Sequence, residues 1–228
     1  GDVFINGINL RERPIEAKKF IGFLPQKAPL HTEMTVDEYL YHCADIRLMP
    51  KKEIPAAIDR AKEKCGITHF SKRQICNLSG GYQQRVGIAQ AIIHNPLFVI
   101  LDEPTNGLDP NQIMEVRRLI QEIAEDRAVL ISTHILPEVQ AVCDYIMMIE
   151  HGQKVFEGTI NAFNTYMSPS ALLTIMHNAP SSEKLMKIEG VVRVERLTNT
   201  RIRLHFKGDD SIIRRVVEQA VSNQWHLR

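Results

Sequence analysis

The chain has 228 residues, 44% of them apolar, 24% charged and 6% aromatic, and 28 Lys/Arg against 27 Asp/Glu leave a formal net charge of +1. This composition fits a globular protein with a real core and excludes disordered, collagen-like and coiled-coil chains. A charge so close to zero lacks the basic footprint of a nucleic-acid binder, so no nucleic-acid partner is expected.

In chain order, short β-type runs stand at residues 3–5 and 21–24, and helical periodicity follows at 35–44 and 55–64. Thr35 and Glu38 have the spacing of a capping box, and residues 29–77 are the least strand-like part of the chain. Ser79-Gly80-Gly81 opens a helical run over 82–94, which Pro96 ends. The apolar run 97–101 reads as a strand buried on both faces, and 128–132 as another buried strand. Helices are expected over 111–125 and 136–143, and a hairpin joins 145–150 to 154–157 around His151-Gly152. Alternating strands and helices predict an α/β domain with a largely parallel sheet.

Beyond residue 161 the pattern changes. Strand 171–176, helix 180–189, strands 191–197 and 200–206 and a helix capped by Asp209 or Asp210 spell βαββα, a split-βαβ ferredoxin-like unit without its last strand. Ile212, Ile213, Val216, Val217, Ala220 and Val221 are expected on the buried face of that last helix. Residues 165–228 hold ten Lys/Arg against six Asp/Glu, which also sets this stretch apart. Length points to one main domain plus a small appendage. Four scattered cysteines without a CxxC pair, the absence of an apolar run near the ~18 residues of a membrane span, and no leader-like N-terminus predict a soluble cytosolic protein.

Three features carry chemistry. Leu78-Ser79-Gly80-Gly81-Tyr82-Gln83-Gln84-Arg85 places two glycines and a hydroxyl at a helix start, where free N–H groups and the helix dipole attract an anion. The strand 97–101 runs into Asp102-Glu103, two carboxylates at the C-terminal edge of a parallel sheet, where such sheets bind ligands. One carboxylate can hold hydrated Mg²⁺ while its neighbour polarises a water. Asn106-Gly107-Leu108-Asp109-Pro110 follows, and strand 128–132 ends in Ser132-Thr133-His134, at the same edge if the two strands are neighbours.

Together these motifs resemble the ATP-binding cassette (ABC) ATPases. Residues 78–85 resemble the signature sequence, 97–103 the Walker B strand, 107–109 the D-loop, 132–134 the switch-histidine loop and 21–26 the Q-loop strand. The resemblance implies a P-loop-NTPase-like cassette over 1–160, with a helical subdomain at about 29–94, and a small α+β domain over 165–228. It implies ATP and Mg²⁺ as cofactors, Asp102 and Gln26 at the metal, and Glu103 as general base. His134 would contact the γ-phosphate, with Gln26 sensing phosphate and metal. Ser79, Gly80, Gly81 and Gln83 would bind nucleotide held by the other copy of a homodimer, and Asp109 would bridge the two sites. Tyr82 stands where Gln is commoner.

The chain contains no GxxxxGK[ST]. It is therefore expected to begin just after a phosphate-binding helix, to be clipped at its C-terminal unit as well, and to hydrolyse ATP poorly by itself. The implied role is the ATPase subunit of an ABC-2-type exporter, bound to membrane subunits at the cytoplasmic face of the inner membrane. The alternatives are a soluble ABC ATPase acting on ribosomes or DNA, and a degenerate, non-hydrolysing regulatory cassette. The other histidines are expected to be solvated or capping, Tyr39 and Tyr41 to pack, and Arg201, Arg203 and His205 to line a solvated strand face.

Overall fold

The computed structural model describes residues 1–166, 171–206 and 211–227, which form two units, Gly1–Ile146 and Met147–Arg228. The first opens with a small antiparallel pair, β1 (Phe4–Ile5) and β2 (Ile8–Asn9), and the short helix α1 (Pro14–Lys18). Then come β3 (Ile21–Leu24), α2 (Val36–Ile46), α3 (Ile54–Cys65) and α4 (Gly80–Ile92). β4 (Phe98–Asp102), α5 (Pro110–Ala124), β5 (Ala128–Ser132) and α6 (Leu136–Val142) complete it.

The sheet is parallel, in the order β3-β4-β5. Its register aligns Leu24 with Leu101 and Leu101 with Ile131, so the C-terminal ends of all three strands share one edge. One continuous core joins sheet and helices through Leu24, Leu40, Ile54, Ile75, Ile88, Val99, Leu101, Val116 and Ile123. The capping box forms as expected, with the Glu38 N–H donating to Thr35 Oγ1 at 3.3 Å and the Thr35 N–H donating to Glu38 Oε2 at 2.8 Å.

Helix α4 lies tightly on β3. A Cβ at Gly22 would lie well inside van der Waals contact distance of the Ala91 carbonyl oxygen, and one at Gly87 would lie 2.8 Å from Leu24 Cδ1. Among the described residues β3 pairs only with β4; it turns the carbonyls of Ile21 and Phe23 away from β4, and side chains satisfy both. Gln90 Nε2 donates to Phe23 O at 2.8 Å, and Arg47 Nη1 donates to Ile21 O at 3.3 Å, with His94 Nε2 3.0 Å from that same oxygen. His94 is therefore half-buried rather than solvated, and burial, aided by the Arg47 charge, pushes its pKa down to about 4.

Two strands are less buried than their apolar runs suggest. In β4 Val99 and Leu101 are buried, whereas Phe98 and Ile100 are only half-buried. In β5 Ala128, Leu130 and Ser132 are exposed, because β5 is an edge strand and only β4 pairs with it among the described residues. Tyr39 packs as expected, at 2% exposure, but Tyr41 is exposed and lines an open cleft between α2 and α3.

β6 (Tyr145–Glu150) and β7 (Gln153–Thr159) form a hairpin whose turn residues, His151 and Gly152, both have φ in the left-handed region, as a tight two-residue turn requires. Helix α7 (Ile160–Tyr166) follows. The remainder is an antiparallel sheet in the order β8-β10-β9, built from β8 (Ala171–Ile175), β9 (Val191–Arg196) and β10 (Arg201–Phe206), with helices α8 (Ser182–Met186) and α9 (Ser211–Ser222).

This is the split-βαβ arrangement, and Leu227 takes the last strand's place by bridging Met176 antiparallel, on the side of β8 away from β10. Helix α8 covers only five residues of the expected 180–189 run. On α9 the row Ile212, Val216 and Ala220 is buried, whereas Val217 and Val221 are exposed, so the buried stripe is narrower than the apolar pattern. The expected caps Asp209 and Asp210 lie outside the described residues. No described helix is long and apolar enough to cross a membrane.

The close approach at Gly22 generates a prediction. Gly22→Ala drives a methyl group into a backbone carbonyl and should cost about 1–3 kcal/mol or more. Gly80→Ala, with nothing within 4 Å of the new methyl, should leave stability nearly unchanged. Denaturant midpoints of the two variants check this.

Candidate functional site

Parallel pairing gathers the candidate residues at one sheet edge. Two residues past the aligned row of Leu24, Leu101 and Ile131 come Gln26, Glu103 and Thr133, with Asp102 and His134 beside them. Gln26 is exposed there.

Four consecutive residues at the end of β4 are each tied to a different place. Asp102 Oδ1 accepts from the Ser132 hydroxyl. The Glu103 carboxylate accepts from Thr133 Oγ1 at 3.2 Å, from the His134 N–H at 3.1 Å and from His134 Nδ1 at 2.8 Å. Pro104 O accepts from Gln84 Nε2 of α4 at 2.8 Å, and the Thr105 hydroxyl donates to Glu138 Oε2 on α6. Glu103 has φ of 47°, a region that costs a non-glycine residue of order 1–3 kcal/mol and persists only where its surroundings hold it. Here its N–H donates to Ser132 O at 2.9 Å, and its carbonyl accepts from the Asn106 N–H at 3.1 Å.

The Glu103 side chain is 15% exposed, while that of His134 is 76% exposed. A hydrogen bond from Nδ1 to Glu103 commits that nitrogen's proton and turns Nε2 away from the carboxylate. The same bond, reinforced by the Glu103 charge, raises the His134 pKa above its ordinary value.

The glycine-rich segment starts α4 as expected. Ser79 takes the N-cap position with extended backbone, and its side chain makes no capping bond. Gly80 opens onto free space, and Gly81 is covered by the Gln112 side chain, whose Cδ would lie 2.6 Å from a Cβ there. Gln83 turns back, with Nε2 donating to Ile75 O at 3.2 Å and Leu78 O at 3.1 Å, so it braces the approach to Ser79. Tyr82 packs edge-on against Phe70 with centroids 4.6 Å apart, beneath the Arg85 guanidinium. Asp109 caps α5, its Oδ1 accepting from the N–H groups of Asn111 and Gln112 at 3.0 Å each.

Among the described residues no three His, Cys, Asp or Glu side chains converge on a metal position. One carboxylate, Asp102, and one amide oxygen, Gln26, share the edge. That donor set fits Mg²⁺, which keeps several waters and takes one or two protein oxygens beside those of a phosphate. Three contributors had no signal in the sequence motifs, namely Glu138, Gln112 over Gly81, and His94 behind β3. Glu138 alone was within reach, as an acid among the apolar positions of α6.

A parallel sheet whose edge pairs a carboxylate with a histidine loop, beside a glycine-started helix, is consistent with a P-loop-NTPase-like cassette. Comparison with known proteins agrees. The ABC transporter family profile matches residues 1–106, and an AAA domain described as a putative AbiEii toxin of a type IV toxin–antitoxin system matches 77–139. The chain is 33% identical over 164 residues to the ABC transporter ATP-binding protein NatA of Bacillus subtilis, covering 71% of this chain and 67% of that protein. It is 34% identical over 163 residues to the Nod factor export ATP-binding protein I of Rhizobium meliloti, covering 69% and 48%. Among solved structures, cbiO1 of Clostridium perfringens, part of the ABC transporter complex cbiONQ, superposes with a TM-score of 0.64 at 26% identity, covering 71% of this chain and 67% of that one. The chain belongs to the ABC transporter ATP-binding proteins, and it spans about half to two thirds of the length of these curated relatives.

Because Glu103 favours the imidazolium of His134, this contact stabilises the fold fully below the ordinary histidine value of ~6.5 and is lost as pH rises through the raised value. An NMR titration of His134 should show the raised value, and Glu103→Gln should bring it back towards the ordinary one.

Proposed function

We propose that this chain is the ATP-hydrolysing part of an ABC transporter subunit that powers export through membrane partner subunits. The observation that carries the reading is the Glu103–His134 contact at the sheet edge, next to Asp102 and at the same edge as the end of β3, two residues before Gln26. The export direction is supported by the likeness to a Nod factor export protein, and membrane partners by the likeness to a component of a transporter complex. The cassette is assigned to 1–160, with its helical subdomain at about 29–94, and the small ferredoxin-like domain to 165–228. The protein would work peripherally on the cytoplasmic face of the inner membrane.

In this reading bound Mg²⁺, held by Asp102 and Gln26, would offset charge on the nucleotide phosphates. Glu103 orients the attacking water and takes its proton, a role suited to a carboxylate kept largely from solvent and aimed by fixed hydrogen-bond donors. His134 Nε2–H donates to the γ-phosphate, and the bond from Nδ1 to Glu103 favours the charged imidazole where transition-state charge builds. Ser79, Gly80 and Gly81, with Gln83 bracing them from behind, present N–H groups and the Ser79 hydroxyl to a nucleotide held by a second copy. Asp109 lies on the turn that would meet that copy. ATP then closes a homodimer and hydrolysis reopens it. Residues 1–228 contain no GxxxxGK[ST], so little turnover is proposed for this chain by itself.

In the complete gene product with its membrane partner, Glu103→Gln should lower phosphate release by at least a hundredfold and trap an ATP-bound dimer. Phosphate release that stayed near normal would remove Glu103 from the role of base.

A further inference from the structure

Glu138 is a carboxylate inside a protein, and its surroundings are spare. It is 3% exposed, and Thr105, which donates to its Oε2, is 2% exposed. The other oxygen, Oε1, has no hydrogen-bond partner, and the nearest cation, Arg117 Nη2, stands 4.0 Å away. A buried carboxylate is costly unless paired and hydrogen-bonded, so this one depends on a single hydroxyl and a loose ion pair.

Both partners sit where position matters. Thr105 belongs to the turn between Glu103 and Asp109, and its carbonyl accepts from the Leu108 N–H at 3.3 Å. Glu138 lies in the first turn of α6, four residues after His134. The residue at the N-cap of α6, Ile135, makes no side-chain cap, so this helix start lacks the usual local anchor.

We propose that Thr105 and Glu138 form a latch that binds the turn carrying Glu103 and Asp109 to the helix behind His134, so that the two segments move as one body. Glu103 already grips Thr133 and His134 from one side, and the latch closes the loop from the other. With both ties in place the backbones of the two segments cannot separate without breaking the buried Thr105–Glu138 hydrogen bond. Thr105 and Glu138 are thus positioning residues. Their catalytic consequence rests on the ATPase reading above; the mechanical coupling does not.

Amide hydrogen exchange of this chain tests the coupling without nucleotide. Thr105→Val keeps the side-chain shape and removes the hydroxyl. It should speed exchange at Asn106, Leu108 and Glu138 together, by at least tenfold, while Thr105→Ser stays within threefold of the unmodified chain. If Thr105→Val fails to fold, the double variant Thr105→Val/Glu138→Leu leaves no buried charge and carries the same readout. Faster exchange in only one segment, or in neither, would overturn the latch.

In the complete gene product, Thr105→Val should lower kcat for Mg-ATP at least tenfold with KM changed less than threefold, and Thr105→Ser should restore it. A raised KM with unchanged kcat would overturn the positioning role. If the unmodified protein hydrolysed no ATP, the ATPase reading would fall, and the exchange pattern would still decide the latch.

Discussion

The end of strand β4 is where the rest of the site is anchored. Parallel pairing places the ends of β3, β4 and β5 at one edge, but pairing alone leaves loops free to wander. Residues 102 to 105 remove that freedom by bonding in turn to Ser132, to Thr133 and His134, to Gln84 and to Glu138. Each bond contributes about 1 kcal/mol net, more where a charge takes part. Together they offset the unfavourable φ of Glu103 and fix its carboxylate against one imidazole. A short strand end thereby holds the loop of Thr133 and His134, helix α4 and helix α6.

A second constraint places the glycine-rich segment. Helix α4 can lie on β3 only because Gly22 and Gly87 present no side chain at the contact, and Gln90 fastens the two by bonding to Phe23 O. Five residues separate Gln84, which bonds Pro104, from the Ser79 cap, about 7 to 8 Å along a helix. The helix is therefore a rigid strut running from the edge strand, past the carboxylate turn, to a start whose Gly80 faces open space.

Much of this was legible from residue types. Helix starts announced themselves through Thr35 with Glu38 and the Ser79-Gly80-Gly81 run, since capping chemistry is local. The placement of Asp102, Glu103 and His134 at strand ends was legible too, because the apolar runs of β4 and β5 stop just before them. Burial was not. The apolar run of β5 matched a central strand, but apolarity records a preference for burial and not whether a neighbour supplies it, and Leu130 lies exposed. Val217 and Val221 misled in the same way on α9. Long-range polar pairings were also invisible. Thr105 and Glu138 are 33 residues apart, with α5 and β5 between them, and His94 meets the Ile21 carbonyl of a strand 73 residues earlier.

The central claim is that one nucleotide site draws its base and histidine from one copy and its glycine-started helix from another. Mixing two inactive forms of the complete gene product tests it. One form carries Glu103→Gln and the other Gly80→Asp, which sets a negative charge where a phosphate should bind. In a mixed dimer one site receives both defects and the other neither. The account predicts that ATP hydrolysis reappears on mixing, in proportion to the mixed dimer formed. Activity that stayed absent although mixed dimers were present would show that each copy builds its site alone.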